Sequence, residues 1–173
     1  RVVSSVTLYN EMLKRNPEFA ADLCKDFYWT LHGEISPGSD PWYKMPVFTF
    51  QDGQFSARGA STHARKAQDL PGAEKWSDVR NRAVALFQEL TRELAADLPF
   101  EQGDLQILNS HVTLHSRRPY EEWPEADRKR HLLRLWIRNE DLRVLPTQVR
   151  DNLMGIEVDG FTPVVPLTAE EAA

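Results

Sequence analysis

The chain is poor in several things, and each shortage removes a class of function. Cys24 is the single cysteine, so neither an intrachain disulfide nor a multi-cysteine zinc or iron-sulfur centre can be built from these residues, and a reducing compartment is expected. No apolar run approaches the roughly 18 residues that span a bilayer, and the first residues lack the charged, apolar and small-residue order of a signal peptide. The cytoplasm is therefore the expected location, with no membrane partner. There is no basic excess: the net charge is -5 and the pI is near 5.6, which gives no general attraction to phosphate backbones and argues against a nucleic-acid partner. Glycine-rich phosphate loops, internal repeats and low-complexity segments are lacking too. An initiator methionine is also missing. The chain opens at Arg1 on residues that already read as the approach to a helix, so a fragment or processed product is expected.

What is present fits one domain. The 173 residues match the usual size of a single core, and 41% hydrophobic residues with eight Phe, five Trp and four Tyr supply an interior. Ser4 or Ser5 can cap a helix through Leu8, Met12 and Leu13, and Asn16-Pro17 stops it and starts a second helix through Phe19, Ala20 and Leu23 to about Lys25. Residues 28–46 hold Gly33, Pro37-Gly38, Asp40-Pro41 and Pro46, which reads as a long aromatic loop of the kind that covers sites. Residues 47–58 read as a hairpin turning at Asp52-Gly53. Residues 76–98 form the clearest helix, capped by Ser77, with Val79, Ala83, Leu86, Phe87, Leu90 and Leu94 at helical spacing. It is expected to pack on a sheet. Three strand-like stretches follow, at residues 104–108, 112–117 and 130–137, and the tail beyond Arg138 looks irregular.

The chemistry-bearing segment is Gly103-Asp104-Leu105-Gln106-Ile107-Leu108-Asn109-Ser110-His111-Val112-Thr113-Leu114-His115-Ser116-Arg117, followed at a distance by Arg130-His131-Leu132-Leu133-Arg134-Leu135-Trp136. If extended, it directs Thr113, His115 and Arg117 to one face and Val112 and Leu114 to the other. Arg130, Leu132, Arg134 and Trp136 share a face in the same way. The two arginines then stand roughly 13 Å apart, enough to serve different anionic groups. Imidazole suits iron(II), and a planar guanidinium holds a carboxylate through two parallel hydrogen bonds. Spacing alone decides nothing here. A strand histidine is more often an ordinary hydrogen-bonded residue than a ligand, and a strand arginine is usually a rim charge.

The pattern Gly-Asp-x-x-x-Leu-Asn-x-His-x-x-Leu-His-x-Arg, then an acidic, proline-containing link, then Arg-His-Leu-Leu-Arg-Leu-Trp, resembles the end of the taurine dioxygenase (TauD/TfdA-like) family, which includes gamma-butyrobetaine hydroxylase-like enzymes. The resemblance is densest over residues 103–137 and looser at Val2-Val3-Ser4-Ser5. It implies an α+β fold: the C-terminal part of a double-stranded beta-helix, a clavaminate synthase-like jelly roll with flanking helices, with residues 1–173 as one partial domain. It implies an iron(II)- and 2-oxoglutarate-dependent oxygenase that consumes O2 and hydroxylates a small molecule with release of succinate and CO2. His115 falls on the distal iron ligand, Arg130 on the anchor of the 2-oxoglutarate distal carboxylate, and Arg134 on a variable position near the substrate's anionic group. The resemblance places the remaining His-x-Asp ligand pair before Arg1. A truncated or degenerate non-catalytic relative is the alternative, and a homo-oligomer is allowed.

Other candidates carry less. His111 is expected to turn inward, either supporting the ligand or simply packing, and His131 to point away from the His115 pocket. His63 reads as solvent-facing. His32-Gly33-Glu34 has the His-x-carboxylate form of a facial triad, but it sits among loop breakers rather than on an apolar strand. Arg58, near Phe55 on the hairpin, either lines the pocket or, more simply, is an exposed strand arginine. Tyr120 and Trp123 are expected to pack the linking loop, and Glu89, Arg92 and Glu93 to form a solvated helix face.

Overall fold

A computed structural model describes residues 1–31, 40–60, 62–117, 119–125, 128–129, 132–135 and 137. Strand β1 (Val2–Ser4) runs directly into helix α1 (Ser5–Arg15). Ser4, in extended conformation, accepts the Thr7 N–H at 3.2 Å and so satisfies one of the free donors of the first turn. Asn16 closes α1 by donating its N–H to Met12 O and opens α2 (Pro17–Asp22) by accepting from Phe19 N at 3.1 Å. Pro17 follows at the first helical position, where its missing N–H costs nothing. One asparagine thus stops one helix and starts the next, as its position before proline predicts.

Residues 28–46 are not one loop. Strand β2 (Phe27–Thr30) pairs antiparallel with β3 (Trp42–Met45), with Phe27 opposite Met45 and Thr30 opposite Trp42. The breakers fall between the strands, in residues 32–39, which lie outside the described set, while both flanks alternate buried and partly exposed residues. The Trp29 indole lies in the core and donates to Met45 O at 2.7 Å, so its polar edge is satisfied. The hairpin forms as expected from β4 (Phe48–Gln51) and β5 (Gln54–Ala57). Asp52 and Gly53 both have positive φ, 49° and 74°, the combination a two-residue turn of matching twist requires.

Helix α3 (Thr62–Ala67) follows, and α4 (Asp78–Leu94) is capped by Ser77, whose side chain accepts Arg80 N. Ala83, Val84, Phe87 and Leu90 form the buried stripe of α4. Instead of lying on a sheet, α4 packs mainly against α1 and α2, with Phe87 reaching Phe48 of β4 at 5.8 Å between ring centroids. One core joins these layers: Leu8, Met12, Leu23, Phe27, Trp29, Met45, Val47, Phe48 and Leu90 are almost wholly inaccessible to solvent.

The last third departs most from expectation. Among the described residues only β6 (Thr113–His115) is a strand there, paired antiparallel with β1. Residues 104–108 form no strand, and neither do the described residues of 130–137. Leu105, Ile107, Leu133, Leu135 and Ile137 are each more than 80% exposed. Alternation predicts strands, but a strand needs a neighbour to take its hydrogen bonds and a layer to cover its apolar face. The described residues supply neither at these positions. The described residues are α+β, with helices and three two-stranded antiparallel sheets among them. No helix among the described residues is long and apolar enough to cross a membrane.

Candidate functional site

His115 is positioned by contacts on both sides of its segment. Asn109 starts the turn into it: its Oδ1 accepts His111 N at 3.1 Å, and its carbonyl accepts Val112 N and Thr113 N. His111 O then accepts Ala57 N at 2.8 Å from the hairpin, and Val112 O accepts Ser5 N at 2.9 Å from the start of α1. The β1–β6 register sets Ser4 against Thr113, Val3 against Leu114 and Val2 against His115. Arg1 and Ser116 continue the ladder, with Ser116 N on Arg1 O at 3.0 Å and the terminal ammonium on Ser116 O at 3.2 Å. Extended parity follows as expected. Leu114 packs against the core, while His115 is exposed.

The exposed imidazole lines two adjoining cavities. One, of about 250 Å³, is bounded by Val3, Ala60, Phe87, Thr91 and Leu114. The other, of about 460 Å³, is bounded by Asp97, Gln106, Arg117, Tyr120 and Leu132. Arg1 borders both, with its guanidinium fixed on Asp97 at 2.8 Å. Arg117, two residues past His115, lies on the wall of the larger cavity. The sequence pattern placed Arg117 on the His115 face without giving it a task; the His-x-Arg spacing was the signal.

The other sequence candidates fall as follows. Arg134 is exposed and is not among the side chains bordering either cavity. Arg130, His131, His32 and Glu34 lie outside the described residues. His111 is half-buried, and so is His63, which is not the solvent-facing residue expected. Tyr120 and Trp123 are both about half exposed rather than packed inside a linking loop. Trp123 carries the Arg128 guanidinium over its ring instead.

Arg58 is not an exposed strand arginine. It is half-buried, with Cζ 5.2 Å from the Trp29 ring centroid and 5.7 Å from that of Tyr43, two rings stacked within 16° of parallel. Its charge is thereby held on aromatic faces. Burial raises the Tyr43 phenol above its ordinary value, and the neighbouring Arg58 partly offsets that shift.

These residues fit an iron site only in part. His115 offers one imidazole donor on a cavity wall, but among the described residues no three His, Cys, Asp or Glu side chains converge on one point. A facial triad needs two more ligands than this.

The comparisons agree with the segment that carries His115. A family model for the taurine catabolism dioxygenase TauD, TfdA family matches residues 1–136. The chain belongs to that family, and the match takes in the helices and the hairpin as well as the densest stretch of the motif. The chain is 30% identical over 160 residues to FR-33289 synthase of Streptomyces rubellomurinus, which covers 90% of this chain and 47% of that protein. It is 25% identical over 150 residues to the taurine hydroxylase-like protein SAT17 of Stachybotrys chartarum, covering 82% of this chain and 36% of that one. The chain thus spans about half the length, or less, of these relatives.

Proposed function

We propose that this chain is part of an iron(II)- and 2-oxoglutarate-dependent oxygenase and that His115 is its distal iron ligand. The carrying observation is the placement of His115: it sits on a strand bonded on its β1 side, inside the family match, and presents its imidazole to a cavity. Bound there, iron(II) would couple the decarboxylation of 2-oxoglutarate to succinate and CO2 with the O2-dependent hydroxylation of a substrate. The chain's own residues would bind and orient. Arg130 would hold the distal carboxylate of 2-oxoglutarate through its planar fork, whereas Arg134, which the resemblance sets near the substrate's anionic group, borders neither cavity. The β1–β6 ladder would fix the imidazole, since a ligand that wanders costs affinity.

The remaining ligands are proposed to come from a longer polypeptide in which residues 1–173 form the later part of a double-stranded beta-helix. The exposed aliphatic side chains at 105, 107, 133, 135 and 137 support this reading. Five large apolar groups at alternating positions are what a strand shows when its covering layer is absent. The test is succinate formation by the intact protein. His115→Ala should abolish it, and full activity of that variant would overturn the assignment.

A second reading, a non-catalytic relative, draws on the lack of a converging metal-ligand set among the described residues. Calorimetry with manganese(II) and 2-oxoglutarate separates the two. Binding by the intact protein that His115→Ala removes supports the oxygenase; no binding by the intact protein supports the structural relative.

A further inference from the structure

We infer that Arg117 is the carboxylate-binding residue of a substrate pocket next to His115, and that the ligand is a small carboxylate with a short apolar body. The inference deepens the proposed function and rests on it for the reaction, though the anion site itself needs no metal. Four observations meet. First, the β1–β6 ladder continues through Ser116, so extended parity puts Arg117 on the same face as His115, roughly 7 Å along the chain. Second, both residues border the cavity of about 460 Å³, within the size range of pockets that take small molecules.

Third, Arg117 is left without an ionic partner on that wall. Among the described residues the wall's titratable side chains are Arg1, Asp97, His115, Arg117 and Tyr120. Arg1 Nε is bonded to Asp97 at 2.8 Å, which accounts for one cation and the one carboxylate. Among the described residues the Arg117 side chain makes no ion pair or hydrogen bond. The Arg117 guanidinium thus has no ionic partner among the described residues, and its fork is shaped for a carboxylate. Fourth, Leu98, Pro99, Phe100 and Leu132 supply an apolar surface beside that charge. An anionic head on Arg117 would therefore leave an aliphatic body against these residues and within reach of a group held at His115.

The inference assigns Arg117 to the substrate carboxylate rather than to that of 2-oxoglutarate, because the same wall carries Leu98, Pro99, Phe100 and Leu132, an apolar surface that suits an aliphatic body better than a second polar end. Isotope-labelled protein titrated with hexanoate, hexanol and 2-oxoglutarate, observed by NMR at the Arg117 Nε–H and the Leu132 methyls, tests it. Hexanoate should shift both signals, and hexanol should bind at least tenfold more weakly. Arg117→Gln should weaken hexanoate at least tenfold with unchanged circular dichroism, since no bond among the described residues is lost. Arg117→Lys should recover part of the affinity. His115→Ala should leave hexanoate binding within about twofold, so loss of the metal ligand and loss of the anion site are read separately. Equal binding of hexanol and hexanoate, or unchanged hexanoate affinity in Arg117→Gln, would overturn the proposal. So would an Arg117-dependent preference for 2-oxoglutarate, which would assign the residue to the co-substrate.

Discussion

Val2 and His115 stand opposite one another across the antiparallel pair of β1 and β6, so the start of the chain holds the candidate ligand in place. Val2 exchanges both of its backbone hydrogen bonds with Ala96, at 2.9 and 2.8 Å. By alternation, the polar groups of Val3 face Leu114. β1 is therefore bonded on both sides, between residue 96 and β6, and an insult to β1 should reach the site.

Val3→Pro removes one donor of that ladder while leaving His115 itself untouched. We expect a loss of about 1 to 3 kcal/mol in urea unfolding, the usual cost of leaving a largely buried backbone acceptor without its partner. Amide exchange at 113–116 should accelerate more than exchange in α4. Equal acceleration in both would mean that β1 stabilises the whole fold rather than the site.

The Asp22 carboxylate, 5% exposed, receives Arg80 Nε at 3.0 Å across 58 residues of sequence. Arg80 also donates to Asp26 O at 2.7 Å and lies over the Phe27 ring. Removing one member of a buried pair strands the other charge, so Asp22→Ala should cost roughly 3 kcal/mol, near the lower end for such pairs because Arg80 keeps its other contacts. Chemical denaturation of the single variants and of the double variant with Arg80→Met provides the check. The double variant should be more stable than Asp22→Ala alone.

Tyr43 gives an alkaline prediction. Its phenol is raised above its ordinary value near 10, first by burial, with Arg58 acting in the opposite direction. The folded state therefore holds this proton more tightly than the unfolded chain. The associated stability is fully present below the unfolded value and is lost as pH rises through the folded one. Ultraviolet titration should show one late-ionising tyrosine, and Arg58→Met should delay it further. An earlier ionisation in that variant would show that the Arg58 charge is not what lowers it.

Local signals were legible wherever a few neighbouring residues decide the structure. Asn16-Pro17 marked a helix junction, Asp52-Gly53 a turn, and Ser77 a helix start, because caps and turns are set by residues within about four positions of one another. The β2–β3 pair was not legible. Its strands are separated by glycine and proline breakers, and only the registry of Trp29 against Tyr43 reveals them. The strand expectations at 104–108 and at the described residues of 130–137 failed for the complementary reason: alternation describes what a segment can do when covered, and here Leu105 and Leu135 remain 84% and 87% exposed. For the site, parity placed His115 and Arg117 on one face, but the cavity they share depends on Asp97 and Tyr120, whose approach no local pattern encodes.

The most direct measurement is succinate formed from 2-oxoglutarate by the intact protein with iron(II) and O2, compared with His115→Ala. The account predicts turnover in the first and a loss of at least a hundredfold in the second, with unfolding midpoints that agree because the imidazole is exposed. Undiminished turnover in His115→Ala would contradict it.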